Sequence, residues 1–239
     1  MREDKPAGWG SDSLSALLDV ARDNELAVFH NRAAEFALLR RADEVFMTAT
    51  AAMPNTSDWF PGLLLISSHR SFRSGAHLAL SGFVPESYAC GRLVLEYSLS
   101  SLHLAKSPDS QLLWMSRHDS DDCKLRIRRE FSYAALLREL RDIDSARADK
   151  VSVLYERMID RGAHPNQHAL TQVLEIEEQT DHKKFKVAHL SGDNVAVASA
   201  MKSLTQCGVC ALDVFSVVYP ERFALMGIES ALDSLKSSL

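Results

Sequence analysis

Helix-breaking residues are scarce in this chain, and they separate long runs with helical periodicity. Its 239 residues include 10 Gly and 7 Pro, whereas an average protein has roughly 7% Gly and 5% Pro. The 32 Leu and 28 Ala far outnumber the 6 Ile, and this balance favours helix because β-branched side chains lose rotamer freedom there. The sequence therefore predicts an all-α fold.

The positions of the breakers predict where individual helices begin and end. One long helix is expected from about Trp59 to Ser81, closed by Gly82, and the next from Pro85 to about Ala105. Apolar spacing predicts further helices from about residue 14, over 26–52, 108–115, 121–143, 149–161 and 193–218, and after 220.

One segment departs from the helical pattern. Leu174 and Ile176 alternate with glutamates, and Phe185 and Val187 flank Lys186, so residues 172–190 are predicted to form a β-hairpin. No internal repeat or linker divides the chain. We therefore predict one domain over 1–239, an antiparallel helical bundle in which N-terminal helices (1–56) pack on a bundle formed by 58–239.

The charge balance argues against a polyanionic partner. The net charge is −5 with a pI near 6.0, so the whole chain has no attraction to nucleic acid or to an anionic membrane. The charged N-terminus lacks the apolar core of a signal peptide, and no charge-free stretch of 18 residues is apolar enough to span a bilayer. A cytoplasmic location with reduced thiols is expected.

Several familiar site motifs are absent from the sequence. It contains neither common glycine-rich nucleotide cradle, no H-E-x-x-H and no E-x-x-H. We therefore predict no metal site and no cofactor. Cys207 and Cys210 form a C-x-x-C within a predicted helix, beside Gly208. Since a redox motif follows a strand and structural zinc needs four ligands, this pattern indicates close helix packing.

The predicted helix after Pro85 carries two charges among apolar residues. Between residues 87 and 105 the formal charges are Arg92 and Glu96, which lie one helical turn apart and can pair. An unpaired charge in a core would cost about 3–5 kcal/mol. Two interpretations remain open: an internal ion pair that fixes the helix register, or the polar part of a binding cleft.

A turn at residues 160–168 is the second candidate. Gly162 and Pro165 account for a helix stop followed by a new start. Arg161, His164 and His168 are not required by that shape. Histidine titrates near neutrality and can act as acid, base or ligand, although a histidine at a helix end also completes carbonyl hydrogen bonds.

The helix residues 88–96 (YACGRLVLE), Trp114 and the turn 162–166 (GAHPN) resemble an uncharacterised bacterial family of all-helical proteins. The similarity runs from about residue 60 to 220 and includes the hairpin. This family resembles in turn the HEPN superfamily of toxins and phage-defence proteins. Some HEPN proteins are metal-independent endoribonucleases with an R-x(4–6)-H motif, and this resemblance implies Arg161 and His168 as phosphate-steadying and acid–base residues.

Other basic residues have simpler interpretations. His69 falls on an apolar stripe and is expected in the core. Arg73 and His77 share a face of the same helix, and if this helix packs against the helix of Arg92 and Glu96, Arg73 or His77 could join the same polar site. A cluster of cations in the predicted helix after residue 120 is interpreted as a solvated face: Lys124, Arg126, Arg128 and Arg129.

Three functional hypotheses follow. The leading one is a non-enzymatic cytoplasmic module that binds a partner protein or a small ligand, and a homo-oligomer is compatible with it. The second is the HEPN-like endoribonuclease, with RNA as the substrate. The third is a ligand sensor. Four residues are predicted to form the ligand site: Arg92, Glu96, Trp114 and His164.

Overall fold

The computed structural model describes residues 5–51, 59–165, 167–171, 174–178 and 183–239. The elements in these ranges are α1 (Ser13–Asn31), α2 (Ala33–Thr50), α3 (Trp59–Ser81), α4 (Val84–Ala105), α5 (Pro108–Met115), a 3₁₀ turn (Ser116–His118), α6 (Asp121–Glu130), α7 (Tyr133–Ile143), α8 (Ser145–Met158), a wide π-type turn (Ile159–Ala163), α9 (Gln167–Thr171), β1 (Leu174–Glu178), β2 (Lys183–Val187), α10 (Val195–Val218), α11 (Pro220–Leu225) and α12 (Ile228–Lys236). The predicted all-α bundle with one small β-hairpin is confirmed.

The helices begin and end near Gly, Pro and capping residues of the sequence. Helix α3 has the predicted bounds, α4 begins one residue before the predicted Pro85, and Gly82 at the end of α3 adopts a positive φ of 94°. Side-chain oxygens accept hydrogen bonds from the first backbone amides of several helices, as N-caps do. These caps are Asp12, Ser107, Ser120, Ser132, Asp144 and Asn194.

Two segments predicted as single helices are each divided in two. The run over 26–52 breaks at Arg32, where φ is −115° and ψ is 42°, and Phe29 and Phe36 meet edge to face across the break. The run over 121–143 breaks at Ser132, whose side chain caps α7. Both single-helix predictions were wrong, although the apolar spacing continues through each break. The Phe29–Phe36 contact stabilises the bend at Arg32, and Ser132 caps a new helix at the other break.

Two smaller boundary predictions were also wrong. Helix α8 begins at Ser145, four residues before the predicted start, because Asp144 caps it. The predicted last helix is two, since Gly227 with φ 67° separates α11 from α12.

The core centres on α10 and α4. Helix α10 packs on α2, α3, α4 and α8, and α3 lies along α4. Of the described helices, α10 has the length and apolar composition that crossing a membrane requires. Within its most apolar stretch of 18 residues, 67% is buried inside the protein. The same composition is typical of a central helix in a bundle.

The N-terminal helices contact the remaining bundle directly. Helix α1 packs on α3, and α2 packs on α10, α3 and α12. The assignment of all residues to one domain stays a prediction.

The hairpin joins β1 and β2 in antiparallel register, with Leu174 opposite Val187 and Ile176 opposite Phe185. Every residue of β2 is exposed. Within the predicted hairpin range of 172–190, residues 172–173 and 179–182 lie outside the described ranges. The predicted hairpin is confirmed for its two strands.

Candidate functional site

Arg92 and Glu96 form the predicted pair on α4. Nε of Arg92 donates a 2.8 Å hydrogen bond to Oε1 of Glu96, and each side chain keeps about a third of its surface exposed (32% and 31%). The carboxylate raises the pKa of Arg92. Because the Arg92–Glu96 ion pair is only partly buried, a ligand can reach it, and the pair also links two turns of α4.

Tyr155 of α8 completes this cluster. Its hydroxyl donates to Oε1 of Glu96 at 2.9 Å, and the guanidinium of Arg92 lies 5.7 Å from the centre of its ring. Burial, and then the charge of Glu96, raise the pKa of Tyr155, so its hydroxyl stays protonated. The ring also stacks on Tyr133 of α7 at a centroid distance of 3.5 Å.

Glu96 also faces a cavity of about 360 Å³ between α4 and the segment that contains α5, α6 and α7. Trp114 of α5 lines the same cavity. Three further aromatic rings and two guanidinium groups join them: Tyr97, Phe131, Tyr133, Arg117 and Arg128. We call this space the aromatic cavity.

Contacts among neighbouring side chains fix the position of the aromatic residues that line the aromatic cavity. The rings of Trp114 and Phe131 meet at 61° with centroids 4.6 Å apart, and Phe131 meets the imidazole of His103 at the same separation. Nδ1 of His103 lies 2.7 Å from Oε2 of Glu139 and Nε2 lies 3.3 Å from Oε1 of Glu130. The cluster fixes Phe131, which lies between α6 and α7.

The predicted four-residue site is brought together in part. Glu96 and Trp114 both line the aromatic cavity. Arg92 is hydrogen-bonded to Glu96 and is not among the described residues that line the cavity. Arg92 also donates a 3.3 Å hydrogen bond to the carbonyl of Ala163. His164, the next residue, is exposed, with Nδ1 3.2 Å from the carbonyl of Pro165, and is not in the cavity lining that the described residues form.

The turn that carries these residues is pressed against the start of α4. A Cβ at Gly162 would lie 2.5 Å from Cα and from the carbonyl oxygen of Pro85. Only glycine permits this approach. The predicted helix stop at Gly162 thus also fixes the turn against the helix of Arg92.

The predicted ribonuclease pair is only partly described. Arg161 lines a second cavity of about 300 Å³, together with two further cations: Arg157 and Lys202. The backbone of His168 lies in α9, whereas its side chain lies outside what the structure describes.

The remaining histidines near α3 form a separate polar cluster. His69 is 6% exposed, stacks on Phe46 and places Nε2 2.6 Å from Oδ1 of Asp43, which confirms its prediction as a core residue. Burial lowers the pKa of His69. Arg73 binds the same carboxylate, at 2.7 Å and 2.9 Å.

His77 lies 2.9 Å from Glu25. Arg73 and His77 therefore face α1 and α2, and the prediction that they join the Arg92 site was wrong.

The C-x-x-C is a packing feature. Cys207 and Cys210 are free and buried within α10, and burial raises the pKa of both thiols, to about 12 for Cys210. A Cβ at Gly208 would lie 2.8 Å from the ring of Phe72. The predicted close packing is confirmed. Among the described residues no cluster of His, Cys, Asp or Glu could hold a metal ion.

Comparisons with protein families, curated proteins and solved structures find no match to this chain. The resemblance to the helical bacterial family and to HEPN proteins stays a prediction.

Sequence reasoning missed most of the aromatic cavity. Tyr97 was one residue from Glu96, and helical geometry could have placed it on an adjacent face. Phe131, Tyr133 and Tyr155 reach the cluster only through the packing of α6, α7 and α8, which no local pattern indicates. Arg128 was identified, but as part of a solvated face.

Proposed function

We propose that the protein is a cytoplasmic, non-enzymatic module that binds a small ligand in the aromatic cavity. The observation that carries the proposal is the presence of Glu96 and Trp114, from different helices, on one cavity. The volume of the aromatic cavity, about 360 Å³, lies at the lower end of the range for small-molecule sites, roughly 300–1,000 Å³. The site therefore suits a molecule of one or two rings.

The lining indicates the chemistry of the ligand. Aromatic side chains offer flat surfaces for a planar ring, and Arg117 and Arg128 are exposed cations at the cavity that suit an anionic substituent. Oε2 of Glu96 accepts no hydrogen bond within the described part of the chain, so it is open to a ring N–H donor. We infer an acidic heteroaromatic ligand.

Fluorescence of Trp114 tests this function. The chain has three tryptophans, so the double variant Trp9→Phe/Trp59→Phe leaves Trp114 as the reporter. We expect saturable quenching by at least one acidic heteroaromatic probe from the set of nucleoside monophosphates, which do not emit in the range of tryptophan. Weakening of about tenfold is expected in Arg117→Gln/Arg128→Gln.

The matched control is Arg129→Gln/Arg138→Gln, which removes two exposed cations that do not line the cavity. It should bind the probe as the parent does. No saturable response to any of these probes would refute the proposed function.

The ribonuclease is the second candidate, and one observation favours it. Arg161 shares its cavity with Arg157 and Lys202, a cluster that would attract RNA phosphates despite the net negative charge of the chain. Cleavage of a structured RNA in EDTA, lost in His168→Ala, is the expected result. Cleavage that survives the substitution would contradict the assignment of His168.

A further inference from the structure

Two adjoining cavities lie between α8 and α10, and one of them is the cavity lined by Arg161. A cavity of about 500 Å³ lies at the end of α8 near Lys150, and the 300 Å³ cavity lies at the end near Arg161. The two share Arg157 and Gln206 in their linings. From Lys150 to Met158 the helix rises about 12 Å at 1.5 Å per residue, and Arg161 follows in the π-type turn. Because their linings overlap, the two cavities adjoin, and we call them together the groove.

The end near Lys150 is mostly apolar. Val153 is 61% exposed there, above the buried side chains of Leu154 and Val209. Its two carboxylates are already paired, since Asp213 binds Lys236 at 2.7 Å and Asp149 binds Arg141 at 2.9 Å. This end offers an apolar surface, bordered by Lys150 and Leu239, on which both aspartate side chains are paired.

The opposite end is cationic. Arg157, Arg161 and Lys202 line it beside the hydroxyl-bearing Ser199 and Ser203, and the lining contains no carboxylate among the described residues. Nη1 of Arg157 donates to the amide oxygen of Gln206 at 2.6 Å, a neutral partner. In the described structure Arg161 and Lys202 form no ion pair with a carboxylate.

From this asymmetry we propose that the groove binds an amphipathic phosphate ester. The phosphate lies among Arg157, Arg161 and Lys202, and the apolar chain lies along Val153 and Val209. A phosphate monoester carries a charge of about −1.5 to −2 at pH 7 and three acceptor oxygens. It therefore matches three cations and two hydroxyl groups better than a singly charged carboxylate does. This site is separate from the aromatic cavity, and its ligand is independent of the proposed function.

Isothermal titration calorimetry with octyl phosphate, below its micelle concentration, tests the proposal. We expect octyl phosphate to bind about tenfold or more tightly than inorganic phosphate, because the octyl chain buries apolar surface. Octyl glucoside, which has the same chain without the charge, should show no binding. Equal affinity for octyl phosphate and inorganic phosphate would overturn the proposal.

Variants assign the binding to the groove. Arg161→Gln/Lys202→Gln should weaken octyl phosphate binding about tenfold or more, whereas Arg129→Gln/Arg138→Gln, with the same loss of charge elsewhere, should not change it. Val153→Asp should remove the advantage of octyl phosphate over inorganic phosphate. Unchanged binding in the first variant, with circular dichroism as the check on folding, would overturn the assignment.

Two further arms distinguish the source of the phosphate. Binding to phosphatidic acid vesicles but not to phosphatidylcholine vesicles, lost in Arg161→Gln/Lys202→Gln, would support the proposal with a lipid headgroup as ligand. Binding of soluble octyl phosphate alone supports a soluble ester. An RNA oligonucleotide that displaces octyl phosphate and binds more tightly would overturn the proposal in favour of an RNA surface.

Discussion

The hydroxyl of Tyr155 donates to the same carboxylate oxygen of Glu96 that accepts the hydrogen bond from Arg92. One carboxylate oxygen therefore joins α8 to α4, while Oε2 of Glu96 accepts no hydrogen bond within the described residues. The arrangement makes Tyr155 the residue whose substitution best separates the stability of this cluster from ligand binding.

Tyr155→Phe removes the hydroxyl and keeps the ring that stacks on Tyr133. A hydrogen bond to a charged group contributes about 1.5–3 kcal/mol when buried, and Glu96 is partly exposed. We therefore expect the free energy of unfolding in urea to fall by about 1–2 kcal/mol. Tyr97→Phe is the control, because the Tyr97 hydroxyl forms no hydrogen bond in the described structure. An equal loss in the control would mean that the Glu96 contact is not the cause.

Gly208→Ala should destabilise the packing of α10 against α3. The added Cβ would lie 2.8 Å from the ring of Phe72, which is 1% exposed and has little room to move. Overpacking of this kind costs about 1–3 kcal/mol, and the gain in helix propensity offsets only about 1 kcal/mol of it. A net loss measured by thermal unfolding is expected. Gly192→Ala, with no atom within 4 Å of its new Cβ, should stay within about 0.5 kcal/mol of the parent.

His103 should make the stability depend on pH. Its hydrogen bond to Glu139 outweighs burial and raises its pKa above the usual 6.5. The surrounding charges are Glu139, Glu130, Lys106 and Arg126. Because the folded pKa is raised, the contribution of the imidazolium is complete below pH 6.5 and is lost as pH rises through the folded pKa.

The measurement is urea unfolding of the parent and His103→Gln between pH 6 and pH 9. The difference in unfolding free energy between them should shrink as pH rises. His69→Gln, measured down to pH 5, should show the opposite trend: burial lowers the pKa of His69, so its stabilising contribution is complete above pH 6.5 and is lost as pH falls through the folded pKa. Parallel pH profiles for the two variants would contradict both assignments.

The four cysteines should react at different rates with a thiol reagent. Cys207 and Cys210 are buried and their thiol pKa values are raised, so they should react only when the protein unfolds. Cys123 lies near the start of α6 and is partly exposed, as is Cys90, although burial raises the pKa of Cys90. Mass spectrometry of the labelled native protein at pH 8 should find Cys123 modified first. Early labelling of Cys207 would contradict the packing interpretation.

Local signals predicted the helices well where Pro or Gly decides the backbone. The limits of α3 and α4 follow from Gly82 and Pro85, which act on their own neighbours. The break at Arg32 has no such residue. It depends on α1 packing against α3 while α2 turns toward α10, and apolar spacing continues through it. Such a bend is a property of the assembled bundle.

The candidate site was predictable to the same extent. Arg92 and Glu96 are four residues apart on one helix, so their pairing is visible in the sequence. Tyr155 lies 59 residues from Glu96, and the aromatic cavity closes only when α5, α6 and α7 fold over α4. His164 is adjacent in sequence to the Arg92 contact, yet its exposed position leaves it outside the cavity lining.

Helix α8 contacts a lining residue of the aromatic cavity and itself lines the groove beside α10. Tyr155 contacts Glu96 behind the aromatic cavity, and Arg157, two residues later, lines the groove beside α10. Two residues correspond to roughly 200° around an α-helix, so the two side chains leave the helix on opposite sides. A one-residue insertion between them would rotate everything that follows by about 100° and misalign one site with respect to the other. The number of residues between Tyr155 and Arg157 thus sets the orientation of one site relative to the other.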